Sequence, residues 1–236
     1  MHNRILLTGA SGGLGLIIAA SLLHEGHFVY LHCNSNAATL GQICSKFPEQ
    51  TKLIKANLSL DNELTNLFNE TVGVDVLIHA AGVASAGMSW KVTKEEFEKV
   101  NVINYFAPFY LSQLFIPQMR NNTWGRIIFL SSVVAQKGIP GTSTYAASKS
   151  ALIGLTRTMA AELGASNITV NAIAPGYMDA GMIREIPEAL RTELLKSIPS
   201  HELGNSNNIA ELVSFLIKEN ANYINGQTIS VSGGMI

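Results

Sequence analysis

The sequence predicts an α/β fold in which a doubly wound parallel sheet of about seven strands carries helices on both faces. Two observations predict it: short apolar runs alternate with longer helical patterns along the whole chain, and the apolar runs are continuous. Continuous apolar strands are typical of burial on both faces, and strand–helix alternation is typical of a parallel sheet wrapped by helices. No Pro-, Ser- or Gly-rich linker divides the 236 residues, so we expect a single domain over residues 1–236.

The predicted strands are short runs rich in Ile, Leu and Val that are bounded by Gly, Asn or Ser. In chain order they are RILLT (4–8), FVYLHC (28–33), KLIKA (52–56), VDVLIHA (74–80), GRIIFLS (125–131), ITVNAIA (168–174) and TISVS (228–232). Helical patterns lie between them, near 14–25, 36–47, 60–70, 93–121, 143–165, 180–196 and 207–219. Ligands of such sheets bind beyond the carboxyl ends of the strands, where the strand order reverses. Functional residues are therefore expected just after the strands.

Composition excludes several classes of function. The net charge is −1 and no run of Lys or Arg stands out, which argues against a nucleic-acid partner or an electrostatic membrane anchor. The first apolar run turns to glycine at once and is too short for a signal peptide or a membrane span. Cys33 and Cys44 form neither a metal-ligand pattern nor a disulfide framework. We expect a soluble cytoplasmic protein that holds no metal.

The segment TGASGGLG follows the first strand and contains Gly9, Ser11, Gly12 and Gly15. Glycines let the backbone turn sharply and approach a diphosphate at the positive end of the next helix, which favours Rossmann-like dinucleotide binding. The P-loop sequence G-K-[ST] is absent. The same letters match the nucleophile elbow G-x-S-x-G, but only eight residues precede Gly9, too few for the upstream oxyanion loop. A tight turn without a ligand is the remaining alternative.

The residues after the second strand bear on the choice of cofactor. An acidic residue there would bond the ribose 2′-hydroxyl and repel a 2′-phosphate. Residues 32–36 read HCNSN, with no acidic residue and no Arg or Lys. This neutral polar segment favours NADP(H) over NAD(H).

Tyr145 and Lys149 are four positions apart, so on a helix their side chains lie on the same face. A nearby ammonium is expected to lower the pKa of the phenol, which could then exchange a proton with a carbonyl or an alcohol. The pair alone also fits a surface helix on which the two residues merely coincide. Ser132 follows a predicted strand 13 residues before Tyr145, and a serine there can hydrogen-bond the substrate oxygen. Together these groups predict a hydride-transfer site.

With these motifs, the chain resembles the short-chain dehydrogenase/reductase family. The similarity covers essentially the whole chain through TGASGGLG, NLS (57–59), HAAG (79–82), GRIIFLSS, YAASK, ITVNAIAPG and INGQTISVSGGM. Within the family it is most similar to the 3-oxoacyl-[acyl-carrier-protein] reductases of fatty-acid and polyketide-like synthesis. The resemblance implies NADPH-dependent reduction of a 3-oxoacyl thioester, an acyl carrier protein as partner, and a homotetramer formed through helices 93–121 and 143–165.

The resemblance also implies roles for four residues. Tyr145 would protonate the keto oxygen and Ser132 would polarise the carbonyl. Lys149 would lower the pKa of the tyrosine and hold the nicotinamide ribose. Asn104 would position a water that relays protons through Lys149; its spacing from the Pro-x-Met at 117–119 favours it over Asn101. The implied cofactor contacts, besides Tyr145 and Lys149, are Gly9, Ser11, Gly12, Gly15, Asn34, Asn57, Leu58, Gly82, Pro175, Gly176 and Met178.

Three departures from the family pattern carry expectations of their own. Gly12 stands where the family usually has an Arg or Lys that reaches the 2′-phosphate. His79 stands where the family has asparagine, and we expect its side chain to be packed rather than catalytic. Basic residues that would meet an acidic carrier are replaced at 123–124 and 166–167, leaving Arg120, Arg126 and Arg157 to compensate.

The substrate and the catalytic status leave alternatives open. The segment near 178–200 is a candidate substrate lid, although its apolar residues equally fit the core face of a helix. A different ketone or alcohol remains an alternative substrate. A non-catalytic nucleotide-sensing protein is an alternative function, against which the presence of Ser132, Tyr145 and Lys149 argues.

Overall fold

The structure is a computed structural model that describes residues 2–181, 183 and 188–236. Within these residues seven strands form one sheet, in the order β3-β2-β1-β4-β5-β6-β7. The strands are β1 (Arg4–Thr8), β2 (Phe28–Cys33), β3 (Thr51–Lys55), β4 (Val76–His79), β5 (Gly125–Leu130), β6 (Ile168–Pro175) and β7 (Thr228–Val231). Every neighbouring pair is parallel. The predicted fold class is confirmed, and the strand order reverses between β1 and β4.

The described helices alternate with the strands. They are α1 (Gly13–His24), α2 (Ala38–Lys46), α3 (Asp61–Glu70), α4 (Lys94–Asn101), α5 (Ala107–Asn121), α6 (Ser143–Leu163), α7 (Glu188–Lys196) and α8 (Asn207–Leu216). The helix predicted over 93–121 is interrupted by a π-helical turn, Val102–Phe106. The helix predicted over 180–196 falls partly outside the described residues, and α7 is its described part.

Two apolar layers cover the two faces of the sheet, as a doubly wound fold requires. On one face α1 and α8 pack against the sheet, with Leu22 and Val213 fully buried. On the other face α3, α5 and α6 form the layer, with Phe115 and Leu152 in its core. In the part of the chain described here, no helix is long and apolar enough to cross a membrane.

Candidate active site

Ser132, Tyr145 and Lys149 meet at the carboxyl end of β5. Ser132 lies just beyond the end of that strand, and Tyr145 is the third residue of α6. The Ser132 side chain lies close enough to the Tyr145 phenol to favour its ionised form. One helical turn further, the Lys149 ammonium lies 5.7 Å from the centre of the Tyr145 ring and donates to the Leu130 carbonyl at 2.7 Å. The three side chains singled out in the sequence therefore lie together.

The protonation of this group differs from the expectation for Tyr145. Burial raises the pKa of Tyr145 above its ordinary value, and the Ser132 side chain only partly opposes this. A net lowering of the pKa, as expected from Lys149, is therefore not found in this structure, because burial of the phenol has the larger effect. Burial also lowers the pKa of Lys149 to about 8. Near neutral pH the site thus holds a protonated phenol beside a largely charged ammonium, an arrangement suited to proton donation.

Asn104 lies fully buried in the π-helical turn, across a glycine from Lys149. Its carboxamide oxygen accepts from the Val83 N–H at 2.8 Å, and its nitrogen donates to the Val83 carbonyl at 2.9 Å and to Ser148 Oγ at 3.0 Å. A Cβ added at Gly82 would lie 3.3 Å from Lys149 Nζ and 3.4 Å from Asn104 Oδ1. Asn101, the other candidate, donates instead within its own helix, to the Phe97 carbonyl.

The glycine loop is shaped by close backbone contacts. Gly9 has a φ of +69°, and a Cβ there would lie 2.6 Å from the Ala81 backbone. A Cβ at Gly15 would lie 2.2 Å from the Gly9 carbonyl oxygen, and one at Gly13 would lie 2.3 Å from the Gly181 nitrogen. Side chains at these positions would therefore displace the backbone that forms the turn.

The first turn of α1 is free to receive an anion. This described helix has Gly12 as its N-cap, no side-chain cap and no acidic residue in its first turn. Its first backbone N–H groups therefore retain hydrogen-bonding capacity at the positive end of the helix dipole. Since the loop beside it, which includes Ser11, is compact and neutral, these residues fit the diphosphate of a dinucleotide.

The other predicted cofactor contacts are distributed along the same edge of the sheet. Asn34 is exposed just after β2, and Leu58 is buried beyond β3. Asn57 turns its carboxamide oxygen to its own loop, accepting from the Ser59 N–H at 3.0 Å and the Ser59 hydroxyl at 2.7 Å. An adenine contact from Asn57 would therefore have to come from its other polar groups, such as the carboxamide nitrogen.

The contacts predicted for the nicotinamide lie at the end of β6. Pro175 is the last residue of that strand, and the Gly176 N–H donates to the Val231 carbonyl at 2.8 Å. Met178 is buried and forms a bridge with Gly204, so its side chain is packed away from solvent.

Two supporting hydroxyls were not singled out in the sequence. Ser131 donates to the Lys149 carbonyl at 2.9 Å, and Ser148 accepts from Asn104. Their positions next to Ser132 and Lys149 in the sequence could have indicated a supporting role. A serine among small residues, however, is equally typical of close helix packing. The structure shows that both serines hold α6 against its neighbours.

His79 is packed, as expected. It is stacked on Phe129 and its Nε2–H donates to Ser112 Oγ at 3.0 Å, since the Ser112 hydroxyl itself donates to Pro108. Burial lowers the pKa of His79 to about 3, so the ring is neutral. A neutral, enclosed imidazole does not compete with Tyr145 for the proton-transfer role.

Arg126 cannot compensate for the missing basic residues, which corrects that expectation. Its side chain is fully buried at the amino end of β5, stacked 4.5 Å from the Trp124 ring and 3.6 Å from the Glu219 carboxylate. Because the Trp124 ring covers the guanidinium, Arg126 cannot contact a partner protein. Arg120 and Arg157 are exposed.

An uncapped helix start at a strand-order reversal, with a proton donor beyond β5, is the arrangement expected of an oxidoreductase that uses a nicotinamide dinucleotide. Comparison with known proteins leads to the same class. A family model described as enoyl-(acyl carrier protein) reductase matches residues 9–236. The chain belongs to the short-chain dehydrogenase/reductase family and is an NAD(P)-dependent oxidoreductase.

Its relatives include several named 3-oxoacyl-[acyl-carrier-protein] reductases. That of Rickettsia felis is 37% identical over 98% of this chain and 95% of its own length. That of Staphylococcus epidermidis is 36% identical over 100% and 99%. Nodulation protein G of Rhizobium sp. is 34% identical over 99% and 96%. A crystal structure of a candidate betaketoacyl-ACP reductase, 27% identical, superposes with a TM-score of 0.89 over 98% of this chain and 97% of that one.

Proposed function

We propose that the chain reduces a 3-oxoacyl thioester, carried on acyl carrier protein, to the 3-hydroxyacyl thioester with NADPH, in fatty-acid or polyketide-like synthesis. The placement of Ser132 beside Tyr145, with Lys149 one helical turn further along α6, is the observation that carries this proposal. Two hydroxyls that lie side by side can both donate to a single acceptor, as a carbonyl oxygen requires. The named relatives support the thioester as substrate.

The predicted catalytic residues have distinct roles in the proposed reaction. A nicotinamide dinucleotide held by these residues would supply the hydride that the carbonyl carbon receives. Tyr145 gives its phenolic proton to the carbonyl oxygen, and Ser132 donates a hydrogen bond to the same oxygen. Lys149 has three donors, of which one meets Leu130; we assign the others to the nicotinamide ribose and to stabilising the tyrosinate. Asn104, held by Val83 and Ser148, lies where a proton relay to Lys149 would run.

The dinucleotide is proposed to lie along the carboxyl edge of the sheet. Gly9, Ser11, Gly12 and Gly15, with the first turn of α1, would hold the diphosphate. Asn34 would face the ribose 2′-phosphate. Because residues 32–36 offer neutral polar groups and no carboxylate, we propose a preference for NADPH over NADH.

The segment near 178–200 is proposed as the lid over the acyl chain, within one catalytic domain over residues 1–236. Its described residues Ile183 and Ile198 are buried, while residues 182 and 184–187 lie outside the description. Arg120 and Arg157 are the proposed contacts for an acidic carrier, and a cytoplasmic location is proposed with it.

The substrate is tested by following NADPH consumption with three thioesters in parallel. Acetoacetyl thioester on acyl carrier protein should be reduced fastest, and acetoacetyl-pantetheine more slowly because carrier contacts are lost. Crotonyl thioester, which offers a C=C bond, should not be reduced. Turnover of the crotonyl thioester alone would contradict the proposal and favour the enoyl reduction named in the family model. Replacing NADPH by NADH in the same assay tests the cofactor preference.

An exposed aromatic surface supports the proposed tetramer. Its residues lie along α4, the π-helical turn and α5: Phe97, Tyr105, Phe106 and Phe109, each between 38% and 50% exposed. Monomeric proteins rarely leave so contiguous an apolar patch in water. We propose that second copies of this chain cover it.

Light scattering at micromolar concentration should therefore give four times the 25.4 kDa chain mass. Phe106→Glu together with Phe109→Glu should lower that mass, since two carboxylates would enter an apolar contact. Tyr223→Glu is the control, because Tyr223 is almost fully exposed. A monomeric wild-type chain would contradict the tetramer.

A further inference from the structure

His32 is a buried histidine at the carboxyl edge of the sheet that the proposed reaction does not use. It lies on β2, between β1 and β3, and is 2% exposed. Its Nδ1 accepts from the Gly9 N–H at 3.1 Å, and its Nε2 faces the Ala56 carbonyl oxygen at 2.9 Å. Because a carbonyl only accepts and an amide N–H only donates, the ring is the neutral tautomer with its proton on Nε2.

The two groups joined by His32 lie at the carboxyl ends of the strand registers, where the Ala10 N–H also donates to the His32 carbonyl at 2.8 Å and the Ala56 N–H to the Cys33 carbonyl at 3.0 Å. The register between β1 and β2 ends at Leu7 and Leu31, so the Gly9 N–H follows it. The register between β2 and β3 ends at Cys33 and Lys55, so the Ala56 carbonyl follows that one. The imidazole thus pairs one donor and one acceptor that the two strand registers leave to a side chain, beside the last backbone bonds of this edge.

Those groups also belong to two different parts of the proposed nucleotide site. Gly9 opens the glycine loop, whose chain continues into the first turn of α1. Ala56 directly precedes Asn57 and Leu58, the proposed adenine contacts. A rigid ring that is hydrogen-bonded at both nitrogens restricts the spacing between the two parts it joins.

We propose that His32 is a positioning residue for the nucleotide. It sets the distance between the diphosphate-binding loop and the adenine-binding turn, and thereby the affinity for the adenosine diphosphate half of NAD(P)H. This inference rests on the proposed cofactor contacts, but not on the identity of the ketone. His32 acts through Gly9 and Ala56 and does not itself touch the cofactor.

His27 provides a matched control. It directly precedes β2, is 5% exposed, and its Nδ1 accepts from the Asn3 N–H at 3.1 Å. The bond has the same chemistry and length as that of His32 to Gly9, but lies at the opposite edge of the sheet. A loss of stability common to both histidines is thus separable from an effect on the nucleotide site.

The experiment measures the dissociation constants of NADPH, NADH and ADP-ribose by calorimetric titration of full-length variants. His32→Leu removes both hydrogen bonds at similar volume and should raise all three constants about tenfold or more. ADP-ribose lacks the nicotinamide, so an equal effect on it places the loss in the adenosine half. His32→Gln keeps one acceptor and one donor and should restore binding to within about threefold. The value of kcat at saturating NADPH should change little, so the loss appears in KM.

His27→Leu should lower the Tm while leaving the three constants at wild-type values. If His32→Leu fails to fold, His32→Met provides the same loss of both bonds with a more adaptable side chain. Wild-type constants in a folded His32→Leu or His32→Met variant would overturn the inference, as would an equal loss in His27→Leu. A wild-type chain that binds NADPH but does not reduce acetoacetyl thioesters would overturn the proposed substrate and leave this inference standing.

Discussion

Tyr145→Phe is expected to lower kcat for the reduction of acetoacetyl thioesters by about 10²–10⁴-fold, the usual contribution of a positioned general acid. The change removes one hydroxyl, whose proton is the one transferred, and leaves the ring in place. The interaction of the phenol with Ser132 is lost as well. Steady-state kinetics and NADPH titration should therefore show a large fall in kcat with nearly unchanged NADPH affinity.

Tyr223→Phe serves as the matched control, since it removes the same hydroxyl from a tyrosine that is 99% exposed. Its kcat should equal that of the wild type. Undiminished turnover in Tyr145→Phe would show that another group donates the proton, and the proposed mechanism would fail.

Lys149→Met is expected to lower kcat by about 10²-fold or more without lowering the free energy of unfolding. The amine is buried, and it donates one described hydrogen bond, to the Leu130 carbonyl. Folding therefore opposes its charge, and an apolar side chain of similar length removes that cost. Catalysis loses the positive charge next to the tyrosinate. In the same variant, kinetics should therefore show a lower kcat, while chemical denaturation should show a free energy of unfolding that is higher or unchanged.

The pKa of Lys149 makes this prediction dependent on pH. Burial lowers it from 10.5 to about 8, so between these values the unfolded chain holds a proton that the folded chain has released. Stability should consequently rise with pH across this window, and Lys149→Met should lose that contribution. The rate of reduction should fall as the pH rises through about 8, because a neutral amine stabilises a tyrosinate poorly.

Lys52→Met is the control for this series. Lys52 is on β3 and its ammonium lies 3.4 Å from the Glu70 carboxylate, with both side chains substantially exposed. Its loss should leave the rate of reduction at the wild-type value. A wild-type rate in Lys149→Met, or a marked loss of its stability at pH 7, would contradict the account given for the buried amine.

Much of the fold was predictable because strand and helix patterns are local properties of the chain. The seven apolar runs became seven strands with boundaries shifted by at most two residues, since each run is bounded by Gly, Asn or Ser. The grouping of Ser132, Tyr145 and Lys149 followed from the rule that functional groups gather at the carboxyl ends of parallel strands.

The features that were not predictable depend on partners far away in sequence. The π-helical turn holds Asn104 against Val83 and Ser148. The hydrophobic periodicity of residues 93–121 does not predict this interruption of the helix. The raised pKa of Tyr145 depends on how deeply the folded chain buries the phenol. Arg126 looks like a surface cation in the sequence, yet Trp124 covers it. Burial of polar groups is a property of the assembled tertiary structure.

The order of strands has a consequence for how the chain can assemble during synthesis. β2 joins β1, β3 joins β2, and β4 joins the other side of β1; β5, β6 and β7 then each join the strand made before them. Every new strand therefore finds an open edge already present, and no strand must be inserted between two finished neighbours. Because proteins are made from the amino terminus at about 5–20 residues per second, the sheet can extend in step with the ribosome. The nucleotide-binding half would be nucleated before the residues of α6 have emerged.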